Sequence, residues 1–210
     1  MIEITEQMLD DLRDAVMQKL SEKRFRHTVA VEQMVVRLCE LYCPEQTMPL
    51  RAAALLHDVT KELSVQEQEV LCRAYSLPIT PQDLLAPKTL HARTAAALIP
   101  SDYKEFAEET VISAVRWHTT AHAGMTLTEK LLYLADYIDT SRTVENCVIL
   151  RRFFWGADPQ NMSEEEKEVL LRETLLLSYD MTIRDLLDEH KPVANETVEA
   201  RNELLLERAR

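Results

Sequence analysis

The chain has 210 residues, 46% of them hydrophobic, which is enough for one domain with a sizeable core. Its formal net charge of −12 argues against a protein that grips the nucleic-acid backbone with a basic stripe. Only two glycines occur, so a P-loop and a dinucleotide-binding fingerprint are both excluded, since each needs several glycines at fixed spacing.

The N-terminal segment, residues 1–15, is charged and has no apolar run of the signal-peptide type, and no segment approaches membrane-spanning length. The four cysteines form no CxxC motif, and the Cys39–Cys43 pair lacks further metal ligands nearby. We interpret them as reduced, buried thiols. The sequence therefore predicts a cytoplasmic protein without membrane or nucleic-acid partners.

Almost every segment has the apolar spacing of an amphipathic helix, for example 26–42 and 127–138. Helix-start signals recur along the chain. Capping boxes begin at Ser64, Thr126 and Ser163, and further starts are predicted at Thr47, Thr80 and Asn195. The expected fold is an all-α bundle of roughly eight to ten helices with short loops.

We expect a single domain over residues 1–210. Glycine, proline and a capping serine cluster in GADPQNMS (156–163), the weakest joint of the chain. This joint separates an expected core at about 19–155 from C-terminal helices at about 163–209, which are predicted to pack on the core.

Four of the six histidines lie in apolar helical contexts, where a polar side chain needs a partner. They are His27 in RFRHTVAV, His57 in LLHDVT, His91 in TLHARTAA and His118 in AVRWHTT. Asp58 follows His57 directly, and Asp136 lies in the equally apolar LLYLADYI. Imidazole combined with carboxylate suits iron, manganese or zinc. Adjacent helical residues point about 100° apart, so His57 and Asp58 are predicted to reach an ion at the flank of their helix or just past it.

The order of these residues resembles the H…HD…D signature of the HD-domain metal phosphohydrolases. His91 and His118 match the extra histidines of a larger subgroup of that family. Three longer segments resemble the YqeK-type symmetrical bis(5'-nucleosyl)-tetraphosphatases, and the similarity spans roughly residues 19–205. These segments are HDVTKELS (57–64), WHTT followed by GMTLTEKLLYLADYID (117–139), and PVANETVEARN (192–202).

The resemblance implies an HD-domain helical bundle that hydrolyses diadenosine tetraphosphate to two ADP. It implies the metal ligands His27, His57, Asp58 and Asp136. The implied metal is iron, with manganese, cobalt or magnesium as alternatives, and one or two ions both fit. The implied catalytic residues are Asp58, Lys61, His91 and His118. The implied substrate-binding residues are His27, Lys61, His91, His118, Asp136, Arg142, Thr182, Ile183, Arg184, Asp185, Leu186 and Leu187.

Two stretches depart from the family pattern. Ala92-Arg93 stands where several relatives have glycine and proline, and Asp139-Thr140-Ser141 precedes Arg142 where relatives often have Glu-Pro-Gly. Both flank the site, so they bear on substrate preference more than on reaction type.

Several alternatives stay open at this stage. A nucleotidase or dNTP-type phosphohydrolase would use the same metal site, and a non-catalytic nucleotide-binding module could use the aromatic RRFFW segment (151–155) as a partner surface or dimer contact. Arg24 and Arg26, beside His27, are phosphate-binding candidates or ordinary helix-surface cations. The oligomeric state is open, with a homodimer among the options.

Two histidines are interpreted as surface residues, His122 and His190. The i,i+4 spacing of His118 and His122 imitates that of zinc proteases. The glutamate that such a site needs as general base is missing, so this interpretation is not favoured.

Overall fold

The computed structural model describes residues 3–209, and within that range it contains eleven α-helices, four 3-10 turns and no strand. The helices are α1 (Glu6–Met17), α2 (Glu22–Tyr42), α3 (Thr47–Leu56), α4 (Val65–Ala74), α5 (Pro81–Leu85), α6 (Leu90–Asp102), α7 (Glu109–Trp117), α8 (Leu127–Ile138), α9 (Glu145–Gly156), α10 (Glu164–Asp188) and α11 (Asn195–Arg208). The all-α prediction is confirmed. The count is one above the expected range, and a separate 3-10 turn at Pro87–Thr89 lies between α5 and α6.

The predicted capping boxes form at the starts of α4, α8 and α10, where each Ser or Thr hydroxyl and the Glu carboxylate three residues later bond to each other's backbone N–H. Two further predicted starts coincide with the first residue of a helix. Thr47 is the first residue of α3, behind Gln46, and Asn195 is the first residue of α11, behind Ala194. Neither helix has a side-chain cap at its N-terminus, so side-chain chemistry did not determine where these two begin.

The core forms where α2, α3, α6, α7 and α8 pack against one another. Their apolar faces are fully buried at Val31 and Leu38 of α2, Leu55 and Leu56 of α3, and Leu131 of α8. Burying these side chains is the main stabilising contribution to the bundle. Each of the five helices contains a predicted polar site residue or, as in α3 and α7, is followed directly by one, so the packing that forms the core also assembles the site.

The C-terminal helices pack on this bundle. The hydroxyls of Tyr133 on α8 and Ser178 on α10 lie 3.1 Å apart, and Thr197 on α11 donates a 2.7 Å hydrogen bond to the carbonyl of Thr120. The joint at 156–163 carries Asp158 in the left-handed region and a 3-10 turn between α9 and α10. Across residues 3–209, no helix is both long and apolar enough to cross a membrane.

The aromatic RRFFW segment divides between core and surface. Phe154 is fully buried and packs on Tyr42, whereas Phe153 is 43% exposed. The segment therefore contributes Phe154 to the core, and a dimer contact through Phe153 stays a prediction.

Candidate metal centre

The HD pair stands where α3 ends. The helix stops at Leu56, His57 is its C-terminal capping residue, and Asp58 lies in the turn that follows. Because Asp58 has left the helical path, its Oδ2 lies 3.4 Å from Nε2 of His57. The side chains of these two neighbouring residues therefore point at one place. An ion held by both would lie just past the end of the helix.

Three of the histidines are oriented by the same kind of hydrogen bond. Nδ1 of His57, His91 and His118 lies 2.6, 2.6 and 2.7 Å from the backbone carbonyl oxygen three residues earlier. A carbonyl oxygen only accepts, so each Nδ1 carries the proton and each Nε2 keeps its lone pair. Metal-bound histidines are usually oriented by such a bond from the second ring nitrogen. The backbone thus prepares three Nε2 atoms as ligands.

His27 reaches the same orientation through side chains. Its Nδ1 lies 3.3 Å from Oδ2 of Asp139 and 3.3 Å from Oγ of Ser141, and its Nε2 lies 2.9 Å from Oδ1 of Asp136. Burial alone would lower the pKa of His27, but the Asp136 and Asp139 carboxylates outweigh it and raise the pKa to about 9. Binding of a cation at Nε2 would therefore be accompanied by release of a proton.

The ligand atoms fall into two overlapping groups, each within 4.8 Å: His27, His57 and Asp136, and His57, Asp58 and His118. Asp58 links them. Its Oδ2 faces His57, and its Oδ1 lies 3.2 Å from Nε2 of His91. This geometry is compatible with one ion beside His57, and also with two ions bridged by the Asp58 carboxylate.

Buried atoms without partners fit this interpretation. Within residues 3–209, Nε2 of His57 and Oδ1 of Asp58 are buried and make no hydrogen bond, which costs free energy unless a partner is supplied. Ligand atoms bonded to one ion at about 2.1 Å lie about 3 to 3.4 Å from each other. The 2.9 Å from His27 to Asp136 and the 3.4 Å from His57 to Asp58 are close to those separations.

At the other end of the cluster, Nε2 of His91 and Nε2 of His118 face each other at 3.0 Å. Burial lowers the pKa of both histidines, so both rings are neutral near pH 7 and two lone pairs meet. Such a pair repels unless a cation or a donor is shared. Nζ of Lys61 lies 3.1 Å from Nε2 of His91, and the Thr119 hydroxyl lies 3.0 Å from Nε2 of His118. This end suits a second ion or a phosphate group beside Lys61.

Both aspartates of the signature are held ionised. Burial alone would raise the pKa of the Asp58 carboxyl, but His57, His91 and Lys61 keep it well below its usual range. For Asp136 the same effect of burial is outweighed by Arg142, whose guanidinium donates to Oδ1 of Asp136 and to its backbone carbonyl. The two carboxylates are therefore available as ligands at neutral pH.

Of the predicted substrate residues, the 182–187 stretch lies apart from the cluster. Thr182 shares a hydrogen bond with the hydroxyl of Tyr137, and Asp185 accepts one of 2.7 Å from the Asn146 amide. Leu187 is 61% exposed. Among the described residues, none of the six hydrogen-bonds to a residue of the metal cluster. Tyr137 follows Asp136 in sequence, so its contact with Thr182 connects this part of α10 to the neighbourhood of the site.

Three residues that contact the cluster were absent from the predicted set. Thr119 contacts His118, and Asp139 and Ser141 contact His27. Their sequence signal is weak, because a threonine after a histidine and an Asp-x-Ser turn are common on protein surfaces. Asp139 and Ser141 belong to the stretch that departs from the family pattern, so position 139 could have been found as an acid three residues after Asp136.

The surface interpretation of His122 is wrong, while His190 is exposed as expected. His122 is partly buried, stacks on Trp117 with ring centroids 4.4 Å apart, and places Nε2 3.3 Å from the buried Glu129. His118 turns its Nε2 to the cluster, so the two histidines do not converge. The zinc-protease arrangement therefore does not form.

Five packed helices that present one ordered set of histidines and aspartates around a common centre define the class of metal-dependent HD-domain proteins. A family model described as HD domain matches residues 24–141, more than half of the chain. The chain belongs to the HD-domain family.

Two relatives and one solved structure are similar to this chain over most of their length. The chain is 31% identical over 170 residues to the symmetrical bis(5'-nucleosyl)-tetraphosphatase of Staphylococcus aureus, covering 79% of this chain and 84% of the relative. It is 30% identical over 190 residues to the enzyme of the same name from Halalkalibacterium halodurans, covering 90% and 92%. A crystal structure from Clostridium acetobutylicum, described as a "predicted HD superfamily hydrolase involved in NAD metabolism", superposes with a TM-score of 0.80 at 30% identity over 94% of this chain and 97% of that one.

Proposed function

We propose that this chain is a metal-dependent phosphoanhydride hydrolase that cleaves dinucleoside tetraphosphates symmetrically, converting diadenosine tetraphosphate to two ADP. Its similarity to two enzymes of that name over most of both chains supports the reaction. One structural observation carries the assignment: Nε2 of His57 is buried without a hydrogen-bond partner among the described residues, beside Nε2 of His27 and two ionised carboxylates.

In this proposal His27, His57, Asp58 and Asp136 hold the ion. When bound, a divalent ion supplies a water of lowered pKa and polarises a phosphoryl oxygen. The identity of the ion is proposed to be iron, which the imidazole and carboxylate donors suit, with manganese, cobalt and magnesium as alternatives.

Lys61, His91 and His118 are proposed to receive the phosphate chain. Lys61 lies 3.1 Å from Nε2 of His91 and its side chain is 28% exposed, so its ammonium can meet a phosphoryl oxygen at the mouth of the cluster. A phosphoanhydride leaving group departs as a phosphate, so it needs neutralisation of charge rather than strong acid catalysis. Arg142 lies beside Asp136 and is proposed to contact the nucleotide. The 182–187 stretch would line the nucleotide base from the far side of Tyr137 only.

Product analysis tests the reaction. Protein loaded with iron under anaerobic conditions is incubated with diadenosine tetraphosphate, and the products are separated by chromatography. ADP as sole product is expected. AMP plus ATP would reject the symmetrical cleavage while keeping the metal site. A substrate panel containing dNTPs, nucleoside monophosphates and NAD separates this proposal from a nucleotidase and from the activity named for the structural neighbour.

Asp58→Ala tests the site, since Asp58 is a ligand of the group that contains His57 and His118. The variant should lose both metal content, measured by elemental analysis, and hydrolysis. Asp188→Ala, at an exposed position of α10, is the control and should keep both. A fully active Asp58→Ala protein would remove the proposed metal centre.

A further inference from the structure

A buried glutamine on α4 connects this helix to two other segments. Gln68 is 4% exposed, whereas Gln66 on the same helix faces solvent. Nε2 of Gln68 donates to the backbone carbonyl of Thr60, and its Oε1 accepts from the Thr94 hydroxyl at 2.6 Å. A primary amide can do both at once, since it carries N–H donors and a carbonyl acceptor. These contacts offset the cost of burying its polar atoms.

Both partners of Gln68 lead to the phosphate side of the centre. The hydroxyls of Thr60 and Thr94 lie 2.9 Å apart, and the Thr60 hydroxyl donates to the backbone carbonyl of His91 at 3.0 Å. Both threonines are buried. The network therefore fixes the turn after α3 against the start of α6, with α4 supplying the amide.

This turn carries Lys61. The carbonyl that Gln68 holds belongs to the peptide bond between Thr60 and Lys61. The Lys61 backbone N–H donates to the carbonyl of Asp58 at 2.9 Å, and its Nζ lies 3.1 Å from Nε2 of His91. A lysine side chain is long and flexible, so the direction in which it leaves the backbone decides what its ammonium meets.

The network attaches at backbone positions that bear on one contact. It holds the carbonyl just before Lys61 and the carbonyl of His91, the residue whose ring the Lys61 ammonium contacts. A network that served only to pack α4 on α6 would not require a bond to the turn at 57–61. Gln68 therefore links backbone placement to the cation on the phosphate side.

We propose that Gln68 is a positioning residue, which acts through Lys61 by fixing the turn at 57–61 against the start of α6. Displacement of a reacting group by about 1 Å can lower a rate about a hundredfold, so a side chain without substrate contact can set the rate. The inference deepens the proposed function and rests on it for the identity of the substrate.

The experiment removes the amide and asks whether the loss passes through Lys61. Gln68→Met keeps the length of the side chain but has no N–H donor and only a weak acceptor. It is made in the wild type and in the Lys61→Ala background, each as metal-loaded full chain, with the exposed Gln66→Met as matched control. Metal content is measured by elemental analysis, ADP affinity by calorimetry, and kcat and KM with diadenosine tetraphosphate.

In the wild-type background, Gln68→Met should weaken ADP binding and lower kcat/KM by about tenfold, with metal content unchanged. In the Lys61→Ala background the same substitution should change both by less than about twofold, because the side chain that it positions is already gone. Gln66→Met should match its parent protein in both backgrounds. A merely structural role would not produce this non-additivity.

Equal losses in both backgrounds would overturn the inference, since Gln68 would then act independently of Lys61. Wild-type affinity and kinetics in Gln68→Met would also overturn it. Should Gln68→Met not fold, Thr94→Val decides by the same cycle, because it removes the hydroxyl that donates to Gln68 and nearly keeps the shape of the side chain. If the wild type binds ADP but leaves diadenosine tetraphosphate intact, the proposed function fails and the ADP cycle still judges Gln68.

Discussion

Single hydrogen bonds decide which atoms of this centre can act as ligands. His57, His91 and His118 each donate from Nδ1 to a carbonyl three residues earlier, and His27 uses Asp139 instead. Each ring therefore presents Nε2 to the centre. Two further side chains support these rings: Lys61 contacts Nε2 of His91, and Asp139 faces Nδ1 of His27.

Lys61→Ala should lower kcat/KM for diadenosine tetraphosphate by about tenfold or more, because a charge-assisted contact to phosphate is lost. Metal content should be unchanged, since Lys61 lies outside the proposed ligand set. Steady-state kinetics and elemental analysis check this, with Lys23→Ala, an exposed lysine of α2, as the control. Wild-type kinetics in Lys61→Ala would remove Lys61 from the reaction.

Asp139→Asn should weaken metal affinity by about tenfold to a hundredfold, the usual effect of losing a carboxylate behind a histidine ligand. The substitution keeps the shape of the side chain but removes the charge that faces Nδ1 of His27 at 3.3 Å. Metal titration of the apo-protein followed by calorimetry measures it. An affinity equal to that of the wild type would show that Ser141 alone is enough to orient His27.

Whole helices place these side chains through where they begin and end. α3 and α7 stop just before His57 and His118, so both histidines are terminal residues whose rings turn into the bundle. Start signals are local in sequence, and the capping boxes of α4, α8 and α10 were predictable. The ends of α3 and α7 carry no glycine or proline signal. Tertiary packing therefore ends these two helices, and their ends could not be predicted from the sequence.

Ser64→Ala should destabilise the protein by about 1 kcal/mol, because the Ser64 hydroxyl no longer accepts from the Glu67 backbone N–H or donates to the Glu67 carboxylate. Urea unfolding followed by circular dichroism gives the change in the free energy of unfolding. Gln66→Ala, exposed on the same helix, is the control and should stay within about 0.5 kcal/mol of the wild type. Equal stability of both variants would show that packing alone holds α4.

At the scale of the whole molecule, one bundle supplies both the core and the centre. A chain of net charge −12 gathers Arg24, Lys61 and Arg142 around the same aspartates. These cations are paired with Asp58 and Asp136, so binding of a divalent ion by the same aspartates would make the pocket cationic and favourable to a small polyanion. Because five helices meet at the centre, an ion bound there would stabilise the whole fold.

Removal of metal by a chelator should lower the melting temperature by about 5 to 10 °C. A ligand at a hundred times its Kd stabilises the folded state by about 2.7 kcal/mol, and one kcal/mol shifts a chain of this size by about 2 to 4 °C. Differential scanning fluorimetry with and without chelator measures the shift. Asp58→Asn, with a damaged centre, should show little response, and an equal shift in that variant would place the ion elsewhere.

The sequence by itself determined the helical class, the capped helix starts and the ordered set of histidines and aspartates. These features are local, since periodicity, capping and residue type are properties of short segments. The resemblance to HD-domain proteins rested on the same local motifs, and the family is confirmed. The roles of individual site residues stay predictions.

Only the tertiary structure decided which polar residues meet. It separated Arg24 from Arg26, brought in Thr119, Asp139 and Ser141, and turned His122 to Glu129. The physical reason is that such contacts depend on distances between helices far apart in the chain. Periodicity gives the face on which a side chain lies, and packing alone gives the partner it faces.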